Sequence, residues 1–368
     1  MGQDVSASAY EIGGDMPGVA VIILNWNGWR DTEDCLLSLA RIDYRNYDVI
    51  VVDNGSTDGS DRELKRIMQD MACASKAQGN LNMPVSFVEL SSDEAASEMP
   101  PAHRPGRSLV LIGGEENCGF AKGNDIGIEY ALKNLSPDYI LLLNSDTLVE
   151  KDFLLELVKV GEADKAVGSV QSLLLKPGGM VVDSLGIEPK AYGAVDLGSN
   201  STYKEELLPG DVEIFGPCAA AALYRSEALK RVGLLDEAFF VLYEDVDLCW
   251  RLRLAGFKSI LAHRSIVYHK RGISACNGAI QKTSLLRRYH SNKNWLMLAV
   301  RYYPLRHICP QPLRYMILVG WCMLYSAKLG RTREISAMLY SSIMQRMANR
   351  RNPLLRTVQR TWINRTRS

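Results

Sequence analysis

Short apolar runs that stop abruptly on polar residues constrain this chain's fold most tightly. Residues 18–26, GVAVIILNW, and 47–53, YDVIVVD, are β-branched and largely apolar. Each ends on a turn rich in Asn, Gly, Ser or Asp, NWNG after the first and NGSTDGS after the second. Runs of this length and composition read as central strands. A helically spaced segment follows each, RDTEDCLLSLARI and DRELKRIMQDM, with Leu36, Leu37 and Leu39 expected on the buried side of the first. Alternation of this kind predicts an α/β fold around a mostly parallel sheet. In open parallel sheets ligands bind beyond the carboxyl ends of strands, where NWNG and DNGS both lie.

The pattern continues with SLVLIGGEENCGFAKGNDIGIEYALKNL, read as a strand, a glycine-bearing loop and a helix from about Asn124. PDYILLLNSDTLVEKDFLLELVKV gives the next strand and helix, with Asn144, Ser145 and Asp146 between them. AVGSVQSLLL and FGPCAAAALYRSEALKRVG supply further strand segments and a helix. FFVLYEDVDLCWRLRLAGF reads as a loop running into a helix that Gly256 ends. Residues 91–107, SSDEAASEMPPAHRPGR, read as an exposed, mobile insertion. SILAHRSIVYHKRG ends the expected core, which divides the chain into an N-terminal arm (1–17), a globular domain (18–279) and a helical, amphipathic C-terminal region (280–368).

With 368 residues the chain has ample core for one large domain or two moderate ones. Its net charge of +1 hides an asymmetry. Residues 280–368 hold 17 Lys and Arg against Glu334 alone, a net +16, and residues 1–279 carry −15. Such a split implies that the C-terminal quarter meets an anionic partner. Residues 315–327, YMILVGWCMLYSA, are uncharged but too short for a bilayer core of ~30 Å, which needs ~20 residues. They suit a helix lying in a membrane interface or one packed on the core or on a second subunit. Eight cysteines without close pairs read as buried thiols of a reducing compartment. The first residues, MGQDVSASAYEIGGDMPG, lack a signal peptide's charged and apolar regions and match the loose Met-Gly-x-x-x-Ser acylation pattern.

Five segments occur in order at suitable separations: VIILNWNGWRDTEDCLLSL, VVDNGSTDGS, NCGFAKGND, LLLNSDTLV and YEDVDLCWRLRLAGF. Together they resemble the family 2 inverting glycosyltransferases of GT-A fold, particularly the rhamnosyltransferase-like branch. The resemblance covers roughly residues 18–275, with a weaker likeness in RYHSNKNWLMLAVRYYP. It implies that Asp53 accepts a hydrogen bond from the imino N–H of a uracil or thymine ring, with Asn25 and Asn54 beside it. An Asx-turn or helix cap is the alternative role for Asp53. Gly119, Lys122, Gly123 and Asn124 would face the nucleotide sugar, with a helix N-terminus near its phosphates; ordinary turn chemistry is the alternative.

The resemblance also makes NSDT the counterpart of a metal-binding Asp-x-Asp. A divalent cation, Mn2+ or Mg2+, would neutralise charge on a departing diphosphate. Asp146 can ligate directly, whereas Asn144 offers a neutral carbonyl, as a weaker ligand or as a hydrogen-bond partner of ribose or a metal-bound water. Ser145 is placed with it among the donor-binding residues. His269 is implied as the further ligand and suits Mn2+ better than Mg2+. In YEDVD the resemblance assigns the general base to Asp245, with Glu244 beside it. Arg251 is placed with the donor-binding residues or with the acids of its own helix, and Asp247 as a partner of Arg251 or Arg253.

The implied activity is inverting sugar transfer from a nucleotide diphosphate, dTDP-L-rhamnose or alternatively a UDP-hexose. The acceptor would be a hydroxyl of a glycan or polyprenyl-linked intermediate at the cytoplasmic membrane face. The enzyme would be peripheral on an anionic membrane surface, a homo-oligomer through its C-terminal helices remaining open, and no nucleic-acid partner is expected. A nucleotidyltransferase would carry a glycine-rich basic loop after its first strand, and a dinucleotide oxidoreductase GxGxxG; neither stands there. A non-catalytic relative would have lost the base or metal residues, yet Asp53, Asp146, Asp245 and His269 are present.

Overall fold

The computed structural model describes residues 16–78, 84–97, 107–190, 193–271, 285–304, 312–330 and 332–363. Val19–Asn25 (β1) lies in the middle of the sheet because it has no charge to leave in water. Alternate side chains feed two cores: Val19, Val21 and Ile23 enter one, and Ala20 and Ile22 the other. Tyr47–Asp53 (β2) and Tyr139–Leu143 (β5) flank it, both parallel. The register with β2 pairs Asn25 with Asp53. Ser108–Gly113 (β4) and Ser86–Ser91 (β3) complete that side, also parallel.

Beyond β5 the direction changes. Ala221–Arg225 (β12) runs antiparallel to both β5 and Val167–Leu175 (β7). Lys258–His269 (β13) is parallel to β7, with Val212–Ile214 (β11) antiparallel at the edge. The order is β11-β13-β7-β12-β5-β1-β2-β4-β3, in which only β12 and β11 oppose the others. Two short strands are added off this path. Thr147–Val149 (β6) pairs with β13, and Val182–Ser184 (β8) with β7. Ile187–Lys190 (β9) and Gly193–Asp196 (β10) form a separate hairpin.

Trp29–Leu39 (α1), Ser60–Gln78 (α2) and Phe153–Ala163 (α5) cover one face of the sheet. Phe120–Asn134 (α4), Ser226–Val232 (α6) and Glu244–Leu254 (α7) contribute to the core on the other. In α1 the inward face is Thr32, Cys35, Leu36 and Leu39. Leu37 was expected there but is 44% exposed, because one residue turns it about 100° from Leu36. Helix α4 starts at Phe120, four residues before the expected start at Asn124. The front of the expected insertion is ordered: Ser92–Ala95 (α3) is a helical turn with a capping box between Ser91 and Glu94. The rest of the insertion, residues 98–106, lies outside the described residues, as do the acylation pattern, Cys276 and Cys309. Of the described cysteines, Cys73 is exposed, against expectation.

A third core joins α7 to the C-terminal helices Leu285–Tyr302 (α8), Pro312–Lys328 (α9), Thr332–Asn349 (α10) and Leu354–Val358 (α11). Trp250 of α7 stacks on Tyr302 at 5.0 Å, and Phe215 meets both Trp250 and Trp362 edge-on. Apolar burial thus continues well past residue 279. Among the described residues no helix is long and apolar enough to cross a membrane.

Helix α7 sits so close to the chain at Gly216 that a Cβ there would lie 1.9 Å from the Cys249 sulfur. Gly216→Ala is expected to cost about 1–3 kcal/mol through overpacking. Gly210→Ala, where nothing lies within 4 Å, should stay within about 0.5 kcal/mol. Urea denaturation checks both; equal stability of the two variants would mean that α7 can shift freely.

Candidate active site

The parallel register sets Asn25 and Asp53 side by side at the carboxyl edge, both buried. Asn25 Nδ2 donates to Asp53 Oδ1 at 2.7 Å, and Thr32 Oγ1 donates to Asn25 Oδ1 at 2.9 Å. Ser56 donates to Asp53 through both its hydroxyl and its backbone N–H, so the turn role expected as the alternative is realised. Asn54 braces the neighbouring loop instead, donating to Asn117 Oδ1 and Gly119 O and accepting from Cys118 N.

Gly119 has φ +92, and a Cβ there would lie 2.5 Å from the Phe240 ring. Its freedom serves this contact. Gly123 packs against Leu24, and Asn124, inside α4, donates to Phe120 O. Lys122 is half exposed, 3.8 Å from Glu237. The Phe240 carbonyl accepts from the first two N–H groups of α4, Phe120 and Ala121.

Asp146 and His269 meet because β6 exists. In this three-residue strand Thr147 lies opposite His269, and the Lys270 N–H donates to Asp146 O at 3.0 Å. His269 Nε2 stands 3.2 Å from Asp146 Oδ1 and 3.3 Å from Asn144 Nδ2. Ser145 is partly exposed in the turn between β5 and β6. On its other side His269 Nδ1 is 2.9 Å from Asp183 Oδ2 of β8, and Arg271 Nε donates to Asp183 Oδ1 at 2.6 Å. Burial opposes the imidazolium, but Asp146 and Asp183 outweigh it and hold His269 up to about 9. Burial also opposes the Asp183 carboxylate, yet the hydrogen bonds from His269 and Arg271 keep it below the usual range. Asp183 escaped sequence reasoning: a lone acid in VVDSLG carries no motif, and only the β7–β8 pairing brings it here.

Glu244 and Asp245 open α7 and line a cavity of about 410 Å³, as do Asn144 and His269. Asp245 Oδ1 accepts from Val246 N at 2.8 Å and Oδ2 from Ala219 N at 3.4 Å. Burial, followed by the charge of Asp196, pushes the Asp245 carboxyl up; burial and Asp245 do the same to Glu244. Glu244 Oε2 meets no hydrogen-bond partner among the described residues. Arg251, expected among the donor-binding side chains, does not line the cavity. Its guanidinium is committed to Asp247 at 2.8 Å and to the carbonyls of Val232 and Gly233. Asp247, fully buried, also accepts from Arg301 and Tyr302, both at 2.8 Å, whereas Arg253 pairs with Glu213. The chain enters α7 through Phe240, Leu242 and Tyr243, all at positive φ, a conformation that costs of order 1–3 kcal/mol per residue and persists only where the surroundings hold it.

Two family models match, glycosyltransferase like family 2 over residues 84–291 and glycosyl transferase family 2 over residues 20–79. A low-salt glycan biosynthesis hexosyltransferase of Haloferax volcanii is 27% identical over 137 residues, 37% of this chain and 44% of its own. Rhamnosyltransferase WbbL of Escherichia coli is 29% identical over 148 residues, 38% of this chain and 56% of its own. The chain spans about half the length of these curated relatives. The crystal structure of GalNAc-T7 with UDP, GalNAc and Mn2+ shares the fold at a TM-score of 0.55 and 13% identity, covering 92% of this chain and 59% of that one. With the larger of the two models spanning more than half of its residues, the chain belongs to the family 2 glycosyltransferases, transferase enzymes of GT-A fold.

Proposed function

We propose that the protein transfers a sugar, with inversion, from a nucleotide diphosphate to an acceptor hydroxyl, with Asp245 as general base. The observation that carries this reading is that Asn144, Glu244, Asp245 and His269 line one and the same cavity. Asp245 takes the proton of the attacking hydroxyl. Its raised proton affinity suits that task, since a stronger base accepts the proton more readily while the group stays ionised near neutral pH. Glu244, which lines the same cavity with one carboxyl oxygen unpartnered among the described residues, can hydrogen-bond a sugar or acceptor hydroxyl. Asp53 and Asn25 take the base of the nucleotide, and Asn54 holds the loop beside it.

Among the described residues no three His, Cys, Asp or Glu side chains are gathered to hold a metal. The spacing of Asp146 and His269 nevertheless supports a divalent cation shared with the donor's phosphates. Two ligands on adjacent corners of an octahedron with bonds of ~2.1 Å lie about 3 Å apart, close to the Asp146–His269 separation of 3.2 Å. A ligating histidine commonly gives its other ring N–H to a carboxylate, as His269 can to Asp183. Asp146 and His269 would hold the metal, with Asn144 in support, and Mn2+ suits the imidazole better than Mg2+. Bound there, the cation would neutralise charge on the leaving diphosphate. The Mn2+ in the GalNAc-T7 complex is consistent with such a requirement.

The donor we favour is dTDP-L-rhamnose, supported by the sequence resemblance and the rhamnosyltransferase relative. The hexosyltransferase relative keeps a UDP-hexose as the alternative. Acceptor delivery from a lipid carrier on the cytoplasmic membrane face is supported by the C-terminal surface. Met316, Ile317, Trp321 and Leu324 of α9 are exposed, as are Tyr340, Ile343, Met344 and Met347 of α10, in a region of net charge +16. An apolar stripe among basic side chains is suited to an anionic interface. The basic end of the chain is partly core, since Leu355, Val358 and Trp362 are buried. The membrane reading is therefore tested on α9: Trp321→Glu with Leu324→Glu should cut sedimentation with phosphatidylglycerol vesicles several-fold without lowering Tm. Unchanged vesicle binding would exclude this face.

Asp245→Asn should lower transfer by at least about 100-fold while nucleotide binding stays within about 2-fold; equal loss of both would overturn the base assignment. Because Asp245 must be ionised and its proton affinity is raised, the acid limb of the pH–rate profile should lie above the usual carboxylate range of about 4. Thermal shift with dTDP and UDP, each with and without Mn2+, tests the wider reading, and no stabilisation by any metal–nucleotide pair would refute it. His269 must lose its proton to ligate. Mn2+ affinity should therefore rise about tenfold per pH unit between 7 and 9, where the folded chain gives up that proton. His269→Ala should abolish binding in calorimetry, Asp183→Asn weaken it about 10–100-fold, and Asn144→Asp tighten it. A pH-independent affinity that survives His269→Ala would place the metal elsewhere.

A further inference from the structure

Residues 239–243, which lead into the catalytic helix, follow a path the backbone does not adopt unaided. Phe240 has φ +61 and ψ −61, and the Val241 N–H donates to Phe239 O at 2.7 Å. This is the γ-turn of the rare, strained hand. Leu242 and Tyr243 follow at φ +73 and +71. None is a glycine, so something outside the segment must hold it.

We propose that Asn294 of α8 is that clamp: a positioning residue that fixes residues 239–243 in the one conformation that delivers Asp245 to the cavity. This rests on the reading of Asp245 as the base. Asn294 is fully buried, and its Nδ2 lies 2.8 Å from Phe239 O, 2.8 Å from Val241 O and 2.7 Å from Leu242 O. Three carbonyls converging on one side-chain atom require a donor there, so the amide nitrogen, not its oxygen, faces the segment. The flanking contacts come from the same helix. His290 stacks on Phe240 at 4.9 Å, Lys293 Nζ donates to Ala238 O, and Arg301 pairs with Asp236 at 2.7 Å.

The held segment acts on both sides of the cleft. The Phe240 carbonyl accepts from Phe120 and Ala121 at the start of α4, and its ring fills the space left by Gly119. Tyr243 is the residue immediately before α7, at whose start Glu244 and Asp245 stand. Asn294 and its neighbours His290, Lys293 and Arg301 thereby set the geometry of the acid pair without themselves lining the cavity.

Asn294→Leu keeps the size and removes both donors. In hydrogen–deuterium exchange, amides of residues 236–246 should exchange at least tenfold faster while those of β1 and β2 keep their protection. The kcat at saturating donor should fall at least tenfold, and binding of dTDP or UDP with Mn2+ should stay within twofold. Unchanged exchange in 236–246, retained kcat, or a loss confined to nucleotide affinity would each overturn the proposal. If Asn294→Leu does not fold, Asn294→Ser, which keeps a donor but not its reach, is read by the same criteria. The exchange readout needs no turnover. Asp245→Asn that remains active while Asn294→Leu frees the segment would therefore refute the base assignment and leave the clamp standing.

Discussion

A carboxylate taken out of water must be answered by charge and hydrogen bonds, and Asp247 is answered from two directions. Arg251, one turn along its own helix, takes one oxygen, while Arg301 and Tyr302 of α8 take the other. Burial works against the ionised form, but the two guanidinium groups hold the Asp247 carboxyl below its usual range. Loss of one partner from such a buried set typically costs about 3–5 kcal/mol, because a charge is left uncompensated. That cost binds α7 to α8, and the stacked rings of Trp250 and Tyr302 close the same joint with apolar area. The two acids that face the cavity stand only two and three residues before this anchor.

The other half of the site depends on backbone pairing. His269 lies far from Asp146 in sequence, and a three-residue strand with one register sets them together. A shift of one residue in that pairing would turn the imidazole to the opposite face of the sheet. The polar partners behind it, Asp183 and Arg271, fix which ring nitrogen is available. In the metal site proposed above, pairing would thus supply what Asn144 lacks: one carboxylate at a strand end, an imidazole brought by the last strand, and a second carboxylate behind the imidazole.

Much of this was legible in the residues. The central strands announce themselves through apolar runs, and Asn25, Asp53, Asp146 and Asp245 all stand where a run ends or a helix starts. Their neighbourhood follows from the rule that parallel strands open at one edge. What stayed hidden has physical reasons. Strand β6 is too short for periodicity to register. Asp183 and Asn294 act through contacts across 86 and more than 50 residues of chain, and single polar residues carry no local pattern. Arg251 invited a ligand role by its place beside acids, yet the nearest acid on its own helix claims it. Leu37 shows the same limit in miniature: a run of leucines does not say which of them turns outward.

The aromatic joint around Trp250 also sets the smallest piece of this enzyme that can stand alone. A chain ended before α8 would leave Phe215 and Trp250 facing water and Asp247 without Arg301. One ended after α10 would still lose Trp362, which packs on Phe215 and lies beneath Arg253. The minimal folded unit therefore extends at least to Ile363. Swapping C-terminal regions between relatives would have to carry the matching face of α7 as well.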